Sequence, residues 1–266
     1  MSAAKLCCNR AKSPGVINPD TLLVFGVCRP RLRGCRKAGA AMFLLVTFGN
    51  AAKSGPMQQL IEGVHRFKEE EFGKYKALFR RLSRQRQQPH TLFITCSDSR
   101  VIAELITQSN PGDLFVVKNV GNIVPPDQPG GRNSTGAAIE FAVGLGVTDI
   151  VVCGHSQCGA IAALMDPPSC REMPNLATWV ETVAPVRDLI DMKYQHLKTP
   201  DERLRAAEEE NVLFSIERLH SYPAVARGLA EGTLRLHAWF FRIASADLFV
   251  YDAEQKQFVP IPPSPA

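Results

Sequence analysis

From residue 57 onward the apolar positions switch between two periods. Over residues 58–84, Leu60, Ile61, Val64, Phe67, Leu78, Phe79 and Leu82 recur at intervals of three and four, which predicts one or two amphipathic helices. A polar linker, 85–90, leads into Thr-Leu-Phe-Ile-Thr at 91–95, a continuous apolar run of the kind that forms a strand buried on both faces. A helix is expected over 101–108, punctuation at Pro111-Gly112, and a second strand over 113–118. Residues 122–133 hold three Pro and two Gly and read as a loop. Residues 134–145 form a small-residue helix with Ser134 or Thr135 placed to cap it, 149–153 a third strand, and 159–165 another helix.

Strands that alternate with helices predict parallel pairing, hence an α/β fold with a mostly parallel central sheet flanked by helices. An N-terminal helical arm precedes it. Two longer amphipathic helices follow over 179–197 and 200–219, the second burying Val212, Leu213, Phe214, Ile216 and Leu219 together with Asn211. Residues 234–241 and 248–251 are β-rich, a strand followed by a hairpin partner that closes the sheet with an antiparallel edge strand. The stretch after Val259 has four Pro in seven residues and is expected to be loose, so the folded unit spans about 57–260 and leaves 261–266 as a tail. No internal repeat is visible.

Composition adds little to this picture until it is divided along the chain. Over 266 residues, 45% are hydrophobic and 21% charged, which excludes extended disorder and fibrous repeats. The net charge of +5 is concentrated at one end: residues 1–56 carry nine Lys or Arg against a single acid, Asp20, while 57–266 carry 22 basic and 25 acidic residues. The folded part is therefore mildly acidic, and no nucleic-acid partner is expected. No apolar run approaches the ~20 residues of a membrane-spanning helix. The Arg-rich, Pro-broken segment 1–56 is expected to be a disordered or dispensable extension. A transit peptide is its alternative reading, and would turn an expected cytoplasmic location into an organellar one. Eight Cys in a chain of this length form no dense disulfide framework and suggest a reducing compartment.

Candidate chemistry sits at strand ends. Cys96 follows the first buried strand in Cys96-Ser97-Asp98-Ser99-Arg100, and the third strand runs into Gly154-His155-Ser156-Gln157-Cys158-Gly159. In an open parallel sheet, ligands bind at the carboxyl ends of strands. Cys96, His155 and Cys158 make a three-donor zinc set with one position open, the catalytic pattern rather than the closed four-donor structural one. Cys153, inside the apolar strand, reads as structural. A thiolate-phosphatase loop is excluded, because it needs five residues between Cys and Arg and only three lie between Cys96 and Arg100. A Cys–His nucleophile pair leaves Cys158 without a purpose.

These motifs resemble the β-class carbonic anhydrases. The likeness extends over about 57–260 and includes Lys118-Asn119-Val120-Gly121-Asn122, Val124-Pro125-Pro126, Ser134-Thr135-Gly136-Ala137-Ala138-Ile139-Glu140 and Leu236-His237-Ala238-Trp239-Phe240. The C-terminal half is most similar to cyanobacterial members, without their long C-terminal extension. The resemblance implies one zinc ion per subunit and reversible hydration of carbon dioxide to bicarbonate and a proton. Asp98, kept ionised by Arg100, would accept the hydrogen of the attacking oxygen so that its lone pair faces carbon dioxide. Substrate-binding positions are implied at Gln87, Phe115, Val120, Phe141 and Gly159, with Gln87 and Phe141 serving the neighbouring subunit's site, so that a homodimer or higher homo-oligomer is expected.

In some relatives the aspartate closes the site by binding the metal itself, a role that carries over to Asp98. Those relatives have Trp three residues before the first Cys, where this chain has Phe93, and an open site is therefore expected. Phe141 replaces a Tyr of plant members. Two alternatives remain: hydrolysis of carbon disulfide or carbonyl sulfide on the same fold, and an inactive zinc-folded binding module, against which intact Asp98 and Arg100 speak.

Overall fold

The computed structural model describes residues 55–261. The expected dispensable extension, 1–56, and the tail, 261–266, lie almost wholly outside the described residues. Among the described residues, six strands form one sheet in the order β2-β1-β3-β4-β5-β6. They are β1 (Thr91–Cys96), β2 (Leu114–Asn119), β3 (Asp149–His155), β4 (Arg235–Arg242), β5 (Asp247–Asp252) and β6 (Gln257–Pro260). The first four in this order pair in parallel, with Thr91 opposite Leu114 on one side and Asp149 on the other, and Asp149 opposite Arg235. β5 and β6 pair antiparallel, so the sheet ends in two antiparallel strands where one was expected. Pro260 at the end of β6 has no N–H to donate, which an edge strand tolerates.

β1 is buried at all six positions because it lies between β2 and β3 with both faces covered. Side chains alternate across it: Leu92 and Ile94 join Ile150, Val152 and Phe240 in one apolar cluster, while Phe93 joins Val151, Cys153 and Phe241 in another on the opposite face. A third cluster sits beyond the strand ends. There, Ile161 and Leu164 of α5 (Gly159–Met165) pack with Val180 of α6 (Pro174–Glu181), Val186 and Ile190 of α7 (Ala184–Lys193) and Ala207 of α8 (Pro200–Leu219). Cys96, Ile123 and Cys158 complete it, so the candidate site rests on a packed floor.

Several sequence expectations shift in detail. The helical arm is α1 (Pro56–Arg66) and α2 (Phe72–Leu82), joined by one π-helical stretch, and neither helix buries a residue. The helix expected over 101–108 is shorter, α3 (Ala103–Thr107), and ends at Gln108, whose φ is +52°. α4 (Ser134–Leu145) has the expected bounds, but its cap is Asn133, which accepts N–H bonds from Thr135 and Gly136. The helix expected over 179–197 is broken in two, and α7 begins with Pro185 in its first turn. α8 opens on a capping box between Thr199 and Glu202, and α9 (Pro223–Ala230) follows it. Among the described residues no helix is long and apolar enough to cross a membrane.

Candidate metal centre

β1 and β3 are neighbours in parallel register, with Thr95 opposite Cys153, so the residues just past their ends meet. Cys96 is the last residue of β1 and His155 the last of β3. The chain then turns through Ser156 and Gln157 to Cys158, which precedes α5. Gln157 adopts φ +58°, a left-handed conformation that reverses the chain within this turn. Ser156 fixes the turn to β4: its N–H donates to the Phe241 carbonyl at 3.0 Å and its hydroxyl accepts from the Ile243 N–H at 3.1 Å. The donor atoms of Cys96, His155 and Cys158 come within 4.8 Å of one another, and all three residues are buried.

The donors fit zinc. Two sulfurs each ~2.3 Å from a tetrahedral ion stand ~3.8 Å apart, and the Cys96 and Cys158 sulfurs are separated by 4.0 Å. His155 Nδ1 lies 2.9 Å from the Ser156 carbonyl, which can only accept, so the proton sits on Nδ1. Nε2 is then a bare lone pair, buried and without a hydrogen-bond partner. An orphaned buried acceptor is costly unless an electrophile meets it, and a soft cation beside two sulfurs does so.

Hydrogen bonding also prepares the sulfurs. The Cys96 thiol is lowered, chiefly by a bond from the Cys158 thiol and also by His155 and the N–H donors of Asp98 and Gly121, against the opposing effect of burial. Those two N–H groups lie 3.4 Å from Cys96 Sγ. Cys158 is pushed the other way, because in this thiol pair it keeps the proton that Cys96 gives up. Cys153 stands apart: it is fully buried in the strand, and burial raises its thiol to about 12.

Beside the donors lies the Asp98–Arg100 ion pair. Asp98 Oδ1 accepts from the Arg100 backbone N–H at 2.9 Å and from its Nε at 3.0 Å, and Oδ2 accepts from Nη2 at 2.8 Å. The fork of the Arg100 side chain holds the Asp98 carboxyl well below the usual carboxylate range. Arg100 Nη2 also reaches the Gln157 carbonyl at 3.4 Å, linking the β1 loop to the β3 turn. Lys118 ties down the same loop, donating to the carbonyls of Asp98 at 3.2 Å and Val101 at 2.7 Å.

The remaining expected positions are spread over several elements, and one chain does not bring all of them to this centre. Phe115 is half-buried on β2, its ring 5.9 Å from that of Phe141 on α4. Val120 and Phe141 are 45% and 55% exposed, although large and apolar. The Val120 carbonyl accepts from Trp179 Nε1 at 2.6 Å. Gln87 is exposed in the loop between α2 and β1 and is hydrogen-bonded to none of the three donors. Gly159 begins α5, and a Cβ there would meet open space.

The sequence reading did not reach the supports. Asn119 closes the loop after β2 with two bonds of 2.8 Å to the Ile123 backbone. Glu208, 3% exposed on α8, accepts the Cys158 N–H at 2.6 Å, and burial raises its carboxyl to about 7.

Two thiols, one bare imidazole nitrogen and an adjacent ionised carboxylate, all at the strand ends of an α/β sheet, define a class: metal-dependent enzymes that activate water. The family model described as carbonic anhydrase matches residues 91–248. The chain is 42% identical over 205 residues to the carbonic anhydrase of Synechocystis sp., covering 76% of this chain and 74% of that one. It is 40% identical over 212 residues to the carbonic anhydrase of Pseudomonas aeruginosa, covering 79% and 94%. Among solved structures, the β-carbonic anhydrase CcaA superposes with a TM-score of 0.74 at 41% identity, over 77% of this chain and 99% of that chain. A tetrameric β-carbonic anhydrase of Sordaria macrospora gives 0.66 at 30% identity, over 73% and 95%. The chain belongs to the β-carbonic anhydrase family.

Proposed function

We propose that this protein hydrates carbon dioxide reversibly with a zinc ion held by Cys96, His155 and Cys158, and that Asp98 and Arg100 orient the reacting oxygen. The observation that carries the assignment is the buried cluster of donor atoms from Cys96, His155 and Cys158 within 4.8 Å of one another, with His155 Nε2 left without a hydrogen-bond partner. When bound, zinc supplies the Lewis acidity that makes water nucleophilic near neutral pH.

Two thiolates and a neutral imidazole would bring a dipositive ion to zero formal charge, so this donor set acidifies water less than three imidazoles would. The chain compensates in two ways. N–H bonds from Asp98 and Gly121 draw charge from Cys96 Sγ. Asp98, ionised throughout the physiological range, accepts the hydrogen of the attacking oxygen and turns its lone pair toward the carbon of the substrate. Arg100 holds that carboxylate in place with two side-chain bonds. Val120 would supply an apolar wall suited to a small nonpolar gas molecule, while Phe115, opposite Leu92 and against the Phe141 ring, would serve the partner subunit's site.

A second copy of the chain completes the site in this proposal. Val120, just past the end of β2, and Phe141 on α4 are large apolar residues exposed in one chain that would be covered in a dimer. The partner's surface would then bring Gln87 and Phe141 to the substrate. Cys96, Cys153, Cys158 and Cys170 are all free thiols, which supports a reducing, cytoplasmic setting for a site built from two of them.

Stopped-flow hydration of carbon dioxide, before and after treatment with a zinc chelator, tests the proposal. Hydration lost with the metal and restored by added zinc is expected. A zinc-loaded dimer that leaves the uncatalysed rate unchanged would refute it.

A further inference from the structure

Helix α8 is polar where its inward face should be apolar. Glu208, Asn211 and Ser215 follow one another at intervals of three and four and are 3%, 0% and 0% exposed, alongside buried Ala207, Val212 and Leu219. Burying a carboxylate and an amide in an apolar setting is unfavourable unless each finds a partner. Glu208 Oε1, Asn211 Nδ2 and Ser215 Oγ find theirs in backbone groups of the two loops that frame the candidate zinc site, while Asn211 Oδ1 has none.

Glu208 Oε1 accepts the Cys158 N–H at 2.6 Å. Asn211 Nδ2 donates to the Gly121 carbonyl at 2.9 Å, and the N–H of that same Gly121 lies 3.4 Å from Cys96 Sγ. Ser215 Oγ accepts the Val124 N–H at 3.2 Å and donates to the Asn122 carbonyl at 3.4 Å. Each anchor falls on a left-handed turn. Gln157, with φ +58°, precedes the Cys158 amide held by Glu208, and Gly121 and Asn122 have φ of +88° and +46°. The Gly121 turn is also tight, since a Cβ there would come within 3.0 Å of the Ala160 Cβ. Left-handed backbone at non-glycine positions is retained only where surrounding contacts over-determine it.

We propose that Glu208 and Asn211 are positioning residues of the metal site: one face of α8 grips the turn that bears His155 and Cys158 and the loop after β2 that hydrogen-bonds Cys96, and so sets where the two sulfurs stand. The inference rests on reading Cys96, His155 and Cys158 as the zinc ligands. Glu208 fixes the turn that carries His155 and Cys158, and Asn211 fixes the residue that hydrogen-bonds Cys96. The acceptor oxygen of Glu208, rather than its size, is the operative feature.

The test uses the full chain, with zinc affinity measured by chelator competition and site geometry by the thiolate-to-metal charge-transfer absorption of the cobalt-substituted protein. Partners behind the ligands of a metal site typically contribute ~10–100-fold in affinity. Glu208→Met, similar in size but without the acceptor, should weaken zinc binding by about that factor and shift the cobalt absorption. Glu208→Gln keeps an acceptor oxygen and should stay within about threefold of the parent. Asn211→Leu should perturb the same absorption through the Cys96 side. If Glu208→Met shows no cooperative melt, Glu208→Asp takes its place, because it withdraws the oxygen by one methylene while keeping the carboxylate.

Parent-like affinity and absorption in Glu208→Met, or an equal loss in Glu208→Gln, would overturn the positioning role. Failure of the site reading would look different: the parent itself would lack the cobalt–thiolate absorption, or Cys158→Ser would bind zinc as tightly as the parent.

Discussion

Asp98 and Arg100 should not contribute equally, and the structure gives the order. Arg100→Ala removes the Nε and Nη2 bonds to Asp98 but leaves the backbone N–H of residue 100, which lies 2.9 Å from Oδ1. The carboxylate therefore keeps one anchor. The lost pair is also half in solvent, with the Arg100 side chain 47% exposed, so screening limits what it contributes. Removing it should reduce kcat/KM by about three- to tenfold.

Asp98→Ala instead deletes the acceptor for the reacting oxygen's hydrogen, a loss of about a hundred- to a thousandfold. Arg100 holds the Asp98 carboxyl below its ordinary range, so in Arg100→Ala its pKa rises toward the ~3.9 of an unperturbed aspartate, with burial acting upward and the remaining backbone N–H bond downward. A carboxylate titrating there is ionised at pH 7, and the Arg100→Ala deficit should be flat from pH 7 to about 9. The assay is stopped-flow hydration across that range, with zinc content measured on each variant. An Arg100→Ala deficit as deep as that of Asp98→Ala at full zinc content would refute the reasoning. So would a deficit that disappears as the pH rises.

Other consequences separate site from scaffold. Cys158→Ser replaces a thiolate by a neutral hydroxyl and should empty the site of zinc, while Cys153→Ser, in the strand interior, should retain it; metal analysis of the two decides. Gly154→Ala would place a Cβ 2.5 Å from Val212 Cγ2 on α8, so it should cost about 1–3 kcal/mol and lower the melting temperature by several degrees; an unchanged melt would mean that β3 and α8 are not so closely packed. Asp149 is held below the usual carboxylate range, first by Arg235 and also by Thr148 and His237. A depressed carboxylate contributes stability that is present above its unfolded pKa of ~3.9 and is lost as the pH falls through its folded value. Asp149→Asn should therefore lower the melting temperature more at pH 7 than at pH 3, and equal losses at both would contradict the assignment.

What could be read from the sequence follows from which forces are local. β1 was legible because a strand covered on both faces must be apolar throughout, and Thr91–Cys96 is. The proximity of Cys96 to His155 and Cys158 was legible because adjacent parallel strands end together. Pro185 was a visible stop within the pattern over 179–197, and helical periodicity on both sides obscured it. Asn133 was displaced as a cap by its neighbours Ser134 and Thr135, which have the same chemistry one and two positions on. β6 was hidden by Pro260, which argues against a central strand but not against an edge.

Glu208 was out of reach for a different reason. The segment around it, Glu208-Glu209-Glu210, reads as a solvated acidic run, and only the tertiary position of α8 turns the first of the three toward the Cys158 amide. Lys118 and Asn119 stood in a visible motif, yet their bonds to Asp98, Val101 and Ile123 depend on loop closures that periodicity does not encode. The legible residues carry the chemistry, and those that hold them in place became visible only in three dimensions.

The most direct test is X-ray absorption at the zinc edge of the purified protein at pH 8. The account predicts one zinc per chain with two sulfurs at ~2.3 Å and nitrogen or oxygen neighbours at ~2.0–2.1 Å, and loss of one sulfur's contribution, or of the metal itself, in Cys96→Ser. Zinc bound by four sulfurs, or by none, would contradict it.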